Sequence, residues 1–259
     1  MADLEAVPDG TVVARAVTPP QEPAEPAKAP GEMSLVDHLT ELRNRLVRAL
    51  IGVALGTVVG FIFWKDIRNI LIAPLPSGTV QVLAPGDAFV IALRISVIAG
   101  IIIAMPVILW QLWKFVSPGL TESERKMVRP WIPMALFFFA LGVGIAYFIL
   151  PFAVGFLLAF ADDVLVANLA AGPYFDFVTT MFLAFGLIME FPIVLFGLSR
   201  VGIVTSARLV SSRRVIILGI AIFATAITPG GDIVSPIALG GTMYLLFEAT
   251  VFFIRRSGK

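Results

Sequence analysis

The feature that most constrains this chain is a succession of apolar stretches long enough to cross a bilayer. Residues 130 to 150 contain no charged side chain, and a helix needs about 20 mainly apolar residues to traverse roughly 30 Å of hydrocarbon. Six such stretches can be placed, at 46–64, 88–112, 130–150, 177–198, 213–229 and 236–254. The last two are the weakest: Val215 to Ile227 is a short uninterrupted run, and Gly240-Gly241 interrupts the sixth. Spans that short require local thinning of the bilayer or strong packing. Composition points the same way, with 58% hydrophobic residues, 14% charged residues and a mean hydropathy of +0.95, where soluble domains carry about a quarter charged. The expected fold is an all-α membrane protein with six transmembrane helices.

Lysine and arginine set the expected orientation, because short loops rich in them stay in the cytoplasm. One face collects Arg43, Arg45, Arg48, Lys114, Arg125, Lys126, Arg129, Arg200, Arg208, Arg213, Arg214, Arg255, Arg256 and Lys259, and the other only Lys65 and Arg68. This asymmetry predicts a cell-membrane protein with both termini and the loops near 120 and 205 in the cytoplasm. The loops near 75, 165 and 232 then lie outside. Residues 1–33 are rich in Pro, Ala and Glu, with Pro19-Pro20, Pro23, Pro26 and Pro30 breaking any regular helix, and are expected to be a disordered tail. Residues 34–254 form the expected helical domain and 255–259 a basic tail. The start lacks the basic region and apolar core of a cleavable signal. The absence of cysteine excludes disulfides, thiolate metal sites and cysteine nucleophiles.

Two charged stretches beside the membrane carry the candidate chemistry. Ser34-Leu-Val-Asp37 looks like a capped helix start, followed by Leu35, Leu39, Leu42 and Leu46 on one face and Asp37, Glu41, Arg45 and Arg48 on the other. Such a helix is expected to lie along the surface before entering the bilayer. Glu41 and Arg45 are spaced to pair with each other, worth a few tenths of a kcal/mol, and Glu41 is equally a candidate for an external cation. The second stretch, Phe115-Val-Ser-Pro-Gly-Leu-Thr-Glu-Ser-Glu-Arg-Lys126, places Glu122 and Glu124 among basic residues. Thr121-x-x-Glu124 fits a capping box after the Pro118-Gly119 turn. A capping carboxylate keeps a free oxygen for a ligand, so cap and ligand site both remain open for Glu124.

Within the apolar stretches the informative residue is Glu190, in Ala184-Phe-Gly-Leu-Ile-Met-Glu-Phe-Pro192. An ionisable group at a span centre costs about 2.5 to 3.5 kcal/mol on insertion scales, and such groups face a cavity or a partner. The alternative is a hydrogen bond to a carbonyl freed by Pro192. Arg94 is placed to snorkel toward the outer interface, and Glu248 lies within reach of the cytoplasmic interface or a basic neighbour.

Taken together, His38-Leu-Thr-Glu-Leu-Arg43, Ala73-Pro74-Leu75, Phe115-x-x-Pro-Gly-Leu-x-x-x-Glu-Arg-Lys126, Ala184-Phe-Gly-x-x-x-Glu-Phe-Pro192, Thr228-Pro229 with Asp232, and Met243-Tyr-x-x-Phe-Glu248 resemble the TatC family, the multi-spanning subunit of the twin-arginine translocase. The resemblance implies a six-helix receptor for signal peptides bearing two adjacent arginines. It implies transport of folded proteins, driven by the proton-motive force, with small single-span subunits of the TatA and TatB type and with self-association in the lipid bilayer. It implies no enzymatic active site, no cofactor and no nucleic-acid partner. By position Glu41 and Glu124 would hold the arginine pair, with Arg43, Phe115, Leu120 and Arg125 shaping the surface. Glu190, with Thr228, would form an intramembrane polar site for partner subunits, and Pro74 and Asp232 match outer-loop positions. The turn Thr228-Pro-Gly-Gly-Asp232 is a residue longer than the family's form, Pro236 stands where some members carry glutamine, and Thr242 where proline is common.

Two other classes fit less well. A proton-coupled secondary transporter would use Glu190, yet such folds show internal repeats and paired interrupted helices, which this sequence lacks. An intramembrane enzyme needs a nucleophile with a base, a metal set or paired aspartates, and the single histidine, His38, precedes the first span.

Overall fold

The computed structural model describes residues 35–75, 78–161, 169–200, 202, 204–228 and 232–256. The expected tail at 1–33 and the Ser34 cap lie outside them. The chain divides into Met1–His38 and Leu39–Lys259. Of the first unit, only the opening residues of helix α1 (Leu35–Ile62) are described. The second unit holds the rest of α1 and then α2 (Trp64–Ile72), α3 (Asp87–Val116), α4 (Glu122–Val128), α5 (Trp131–Leu158), α6 (Ala171–Ile188), α7 (Phe191–Arg200), α8 (Ser206–Ser211), α9 (Arg213–Ile227) and α10 (Val234–Arg256). Among the described residues the one β feature is a parallel bridge between Gln81 and Ala170.

Among the described residues, five stretches are helical, long and apolar enough to cross a membrane: Val36–Ile62, Asp87–Gly119, Trp131–Leu158, Ala171–Ser199 and Val234–Arg256. The expected fifth span corresponds to α9, whose 15 residues reach only about 22 Å. Its shortness has a local cause. Arg213 and Arg214 open the helix and Thr228-Pro229 follows its end, so polar and helix-breaking residues cut the apolar run from both sides.

The expected stretch of surface helix before the first span is not a separate element, since α1 runs unbroken from Leu39 to Ile62. Leu39, Leu42 and Leu46 are exposed, while Glu41 and Arg45 on the other face are half-buried. Asp37 and Arg48 stay exposed, but at Glu41 and Arg45 the polarity is opposite to that of a helix in water. Lipid solvates leucine well, so the polar face gains more by turning toward protein.

α1 and α3 pack through small residues. Gly52, Gly56 and Gly60 recur every fourth position on α1, and a Cβ at Gly56 would sit 2.5 Å from the carbonyl oxygen of Gly100. At Gly60 it would meet the Ser96 carbonyl at 2.7 Å, and at Gly52 the side chain of Val107 at 3.1 Å. Ser96 and Thr57 satisfy their own hydroxyls on the carbonyls of Ala92 (2.6 Å) and Val53 (2.8 Å), as required where water is absent. The two helices are antiparallel with a fixed register.

The core of the larger unit forms where α5 and α6 meet α3 and α10. Ala146, Leu150, Ala153, Val178 and Phe247 are fully enclosed. Close approach again depends on glycine: Gly186 lies under the Phe139 ring, and Gly142 packs on the Phe185 carbonyl. Opposite the basic loops, Tyr174 donates to the Leu71 carbonyl at 2.6 Å, tying α6 to α2. Gln81 exchanges backbone bonds with Leu169 (2.8 Å) and Ala171 (2.7 Å). Arg94 forms an ion pair with Asp176 of α6. Arg94, expected to reach toward the outer interface, thus finds a charged partner on the neighbouring helix near its start.

Two alanine substitutions test the α1–α3 contact. Gly100→Ala, whose Cβ would lie 2.5 Å from the Thr57 amide nitrogen, should cost about 1 to 3 kcal/mol through overpacking. Gly144→Ala, with nothing within 4 Å, should be neutral or stabilise by up to about 1 kcal/mol. Thermal unfolding in detergent compares them, and equal midpoints would refute the tight interface.

Candidate functional site

The α1–α3 register brings the charged residues of α1 to the end of α3. A step of four residues down α1 matches a step of four up α3 from Gly60 at Ser96 to Gly56 at Gly100. Continued toward the start of α1, the same register is occupied by Arg45, whose Nη1 donates to Gln111 Oε1 at 3.4 Å. Arg45 also donates to Glu41 through Nη2 (2.9 Å) and Nε (3.3 Å). Both side chains of this pair are 19% exposed. Glu41 is one turn before Arg45 on α1, and Phe115 is one turn after Gln111 on α3. The sequence reading missed Gln111; its amide in the otherwise apolar stretch Pro106–Trp113 is the signal that would have found it.

Beyond Phe115, which is half-buried, α3 ends in a 3-10 turn at Ser117–Gly119. Leu120 turns extended, with φ −102° and ψ 144°, and its side chain is half-buried. α4 then begins at Glu122, and the Thr121 carbonyl accepts the Arg125 N–H at 2.9 Å. Arg125 folds back over this turn, donating to the Ser117 carbonyl through Nη2 (2.9 Å) and Nε (3.3 Å). Arg125 thereby clamps the loop that carries the acidic residues. Glu122 is exposed, Arg43 is exposed on α1, and Glu124 lies within the short helix α4, its side chain being outside those described.

Glu190 occupies the break between α6 and α7. Its N–H donates to Leu187 (3.1 Å), and its carbonyl accepts from Ile193 (3.0 Å) and Val194 (3.1 Å). Pro192, second in α7, has no N–H to offer, which is why the helix resets here. The Glu190 side chain is half-buried, and its Oε1 is enclosed without a hydrogen-bond partner among the described residues. The backbone thus accounts for the kink, while the carboxyl oxygen is left without a role in it. Thr228 bonds back to the Ala224 carbonyl at the end of α9. Asp232 is buried; its Oδ1 accepts the Ser235 N–H at 2.6 Å and starts α10, whereas Oδ2 has no partner among the described residues. Pro74 sits half-buried in the turn after α2. Glu248 pairs with Arg213 at 2.8 Å, joining α10 to α9, a link invisible in sequence because the partners lie on different helices.

The geometry therefore assembles Glu41, Arg45, Gln111 and Phe115 at one end of α1 and α3, from which the chain passes directly to Leu120, Arg125 and Glu124. Glu190, Thr228, Asp232 and Pro74 lie on other elements.

The chain matches the family model for the Sec-independent protein translocase protein (TatC) over residues 37–241. The TatC protein of Carboxydothermus hydrogenoformans is 32% identical over 226 residues, covering 86% of this chain and 93% of the relative. That of Azotobacter chroococcum is 37% identical over 229 residues, covering 86% and 89%. A crystal structure of a twin arginine translocase receptor, TatC in DDM, superposes with a TM-score of 0.75 at 33% identity and covers 84% of this chain and 99% of that one. With its apolar helices, its motifs and these matches in agreement, the chain belongs to the TatC family of Sec-independent protein translocase proteins and is a membrane protein.

Proposed function

We propose that this protein is the receptor subunit that binds twin-arginine signal peptides and, with small single-span partners of the TatA and TatB type, moves folded proteins across the cell membrane using the proton-motive force. In this reading α9 is the fifth of six spans, α10 being the sixth, and both termini face the cytoplasm. The observation that carries it is the Arg45 bridge from Glu41 to Gln111, which fixes the first acidic residue at the end of α3, just before the loop bearing Glu124. The resemblance to a structure described as a twin arginine translocase receptor supports the same assignment.

The chemistry suits arginine. A guanidinium offers a planar fork to a carboxylate, and lysine cannot reproduce two parallel bonds. Glu41 already accepts two donors of Arg45, so its environment tolerates that group. Exposed ion pairs contribute only about 0 to 1 kcal/mol each. Affinity must then come largely from the apolar part of the signal, at about 25 cal/mol per Å² buried, with Glu41 and Glu124 supplying selectivity. Arg43, Phe115, Leu120 and Arg125 frame that surface. The uncommitted oxygen of Glu190 supports an intramembrane contact with a partner subunit, together with Thr228 at the end of α9, while Pro74 and Asp232 shape the outer loops.

Crosslinking from α4 to a twin-arginine signal should fall at least tenfold in Glu124→Lys, as expected when a charge-assisted bond worth about 1.5 to 3 kcal/mol is lost, while membrane insertion is retained. Glu41→Gln should weaken it less, by about fivefold. Undiminished crosslinking in both variants would remove the site. Glu190→Ala should leave signal crosslinking intact but depress assembly and transport; a variant that transports normally, or one that loses signal binding, would contradict the division of roles.

A further inference from the structure

A groove between α5, α7 and α10 takes no part in the signal site. It has a volume of about 550 Å³ and is walled on one side by Trp131 and Phe196, whose ring centroids are 3.9 Å apart. The α10 wall is Leu246, Ala249, Thr250, Phe253 and Arg256, set by the three- and four-residue steps that share a helix face. The Thr250 hydroxyl is satisfied on the Leu246 carbonyl at 2.7 Å, so the wall offers no charge until it ends on Arg256. From Leu246 to Arg256 it climbs about 15 Å, which is half of the roughly 30 Å hydrocarbon core. The groove is therefore one leaflet deep, with a cation at its end. Trp131 marks the same level, being the first residue of α5 just after Arg125, Lys126 and Arg129, where an indole is expected at the headgroup boundary.

Size and charge select the occupant. A helix with side chains is about 10 Å across and rises 5.4 Å per turn, so this volume holds little more than one turn of helix. A narrow, flexible hydrocarbon chain fits its depth. A basic segment would be repelled by Arg256, whereas a negatively charged headgroup would be held there. We propose that the groove is a binding site for an anionic phospholipid, one acyl chain lying between Trp131, Phe196 and the α10 stripe and the phosphate resting on Arg256.

The test uses the full-length protein with Trp131 as its sole tryptophan, Trp64, Trp110 and Trp113 each being changed to phenylalanine. It is reconstituted in phosphatidylcholine vesicles containing phosphatidylglycerol or phosphatidylcholine brominated along the acyl chain. Brominated phosphatidylglycerol should quench Trp131 at about fivefold lower mole fraction, the preference expected from one arginine near a headgroup. Arg256→Gln should abolish the preference and Arg256→Lys should retain it, while Ala249→Leu, which fills the groove, should reduce quenching by both lipids. Equal quenching by the two lipids, or a preference that survives Arg256→Gln, would overturn the site in favour of ordinary surrounding lipid. A Trp131 that neither lipid quenches would overturn it too, giving the groove to a protein segment.

Discussion

The arrangement of charged groups at the basic end rests on the backbone contact between Gly56 and Gly100. In a bilayer, helices gain nothing from burying leucine against leucine, so association depends on how closely backbones approach and on the polar groups that join them. Glycine at every fourth position of α1 removes the side chains that would hold α3 away. Once the two backbones touch, the register is set for the full length of the pair. Arg45 then meets Gln111 as a consequence of contacts several turns deeper in the membrane. A polar constellation at an interface is in this way positioned by an apolar seam.

The interior follows the same rule with different residues. Gly142 and Gly186 let α5 and α6 interlock with Phe139 and Phe185, and the charges that remain within the helical region are joined in pairs, Arg94 with Asp176 and Arg213 with Glu248. Each pair joins two helices. Glu190 differs, since its backbone is satisfied by the α6–α7 turn while its Oε1 is not. A buried acceptor without a donor costs about 1 to 3 kcal/mol; Glu248 Oε1 and Arg213 Nε also lack a hydrogen-bond partner among the described residues, but their side chains hold each other in an ion pair, which the Glu190 carboxyl does not have.

Hydropathy alone located the long helices, because apolar length is a property of consecutive residues. The break at Glu190 was also readable, Pro192 being a local signal. The start of α4 just after Thr121 and the pairing of Glu41 with Arg45 were legible for the same reason, as both involve residues within four positions. Contacts between distant segments were not legible. Nothing in the sequence near Arg94 points to Asp176, nothing near Glu248 points to Arg213, and the nine-residue helix α2 is too short to give a periodic signal apart from the span before it. The shortness of α9 was legible too, since Arg213-Arg214 and Thr228-Pro229 bound a short apolar run and 15 residues form the helix.

The Glu41–Arg45 bond has a further consequence for any cation that approaches this end of the molecule. The carboxylate is not vacant; it already holds a guanidinium with two donors directed at one oxygen. An incoming arginine would exchange one guanidinium for another of the same chemistry, so the enthalpy of the new bond is largely cancelled by that of the old. Such a contact acts as a comparator rather than a trap. It rejects groups that bond less well than Arg45 itself, yet grips the accepted one only weakly, and a ligand admitted on those terms is also readily released.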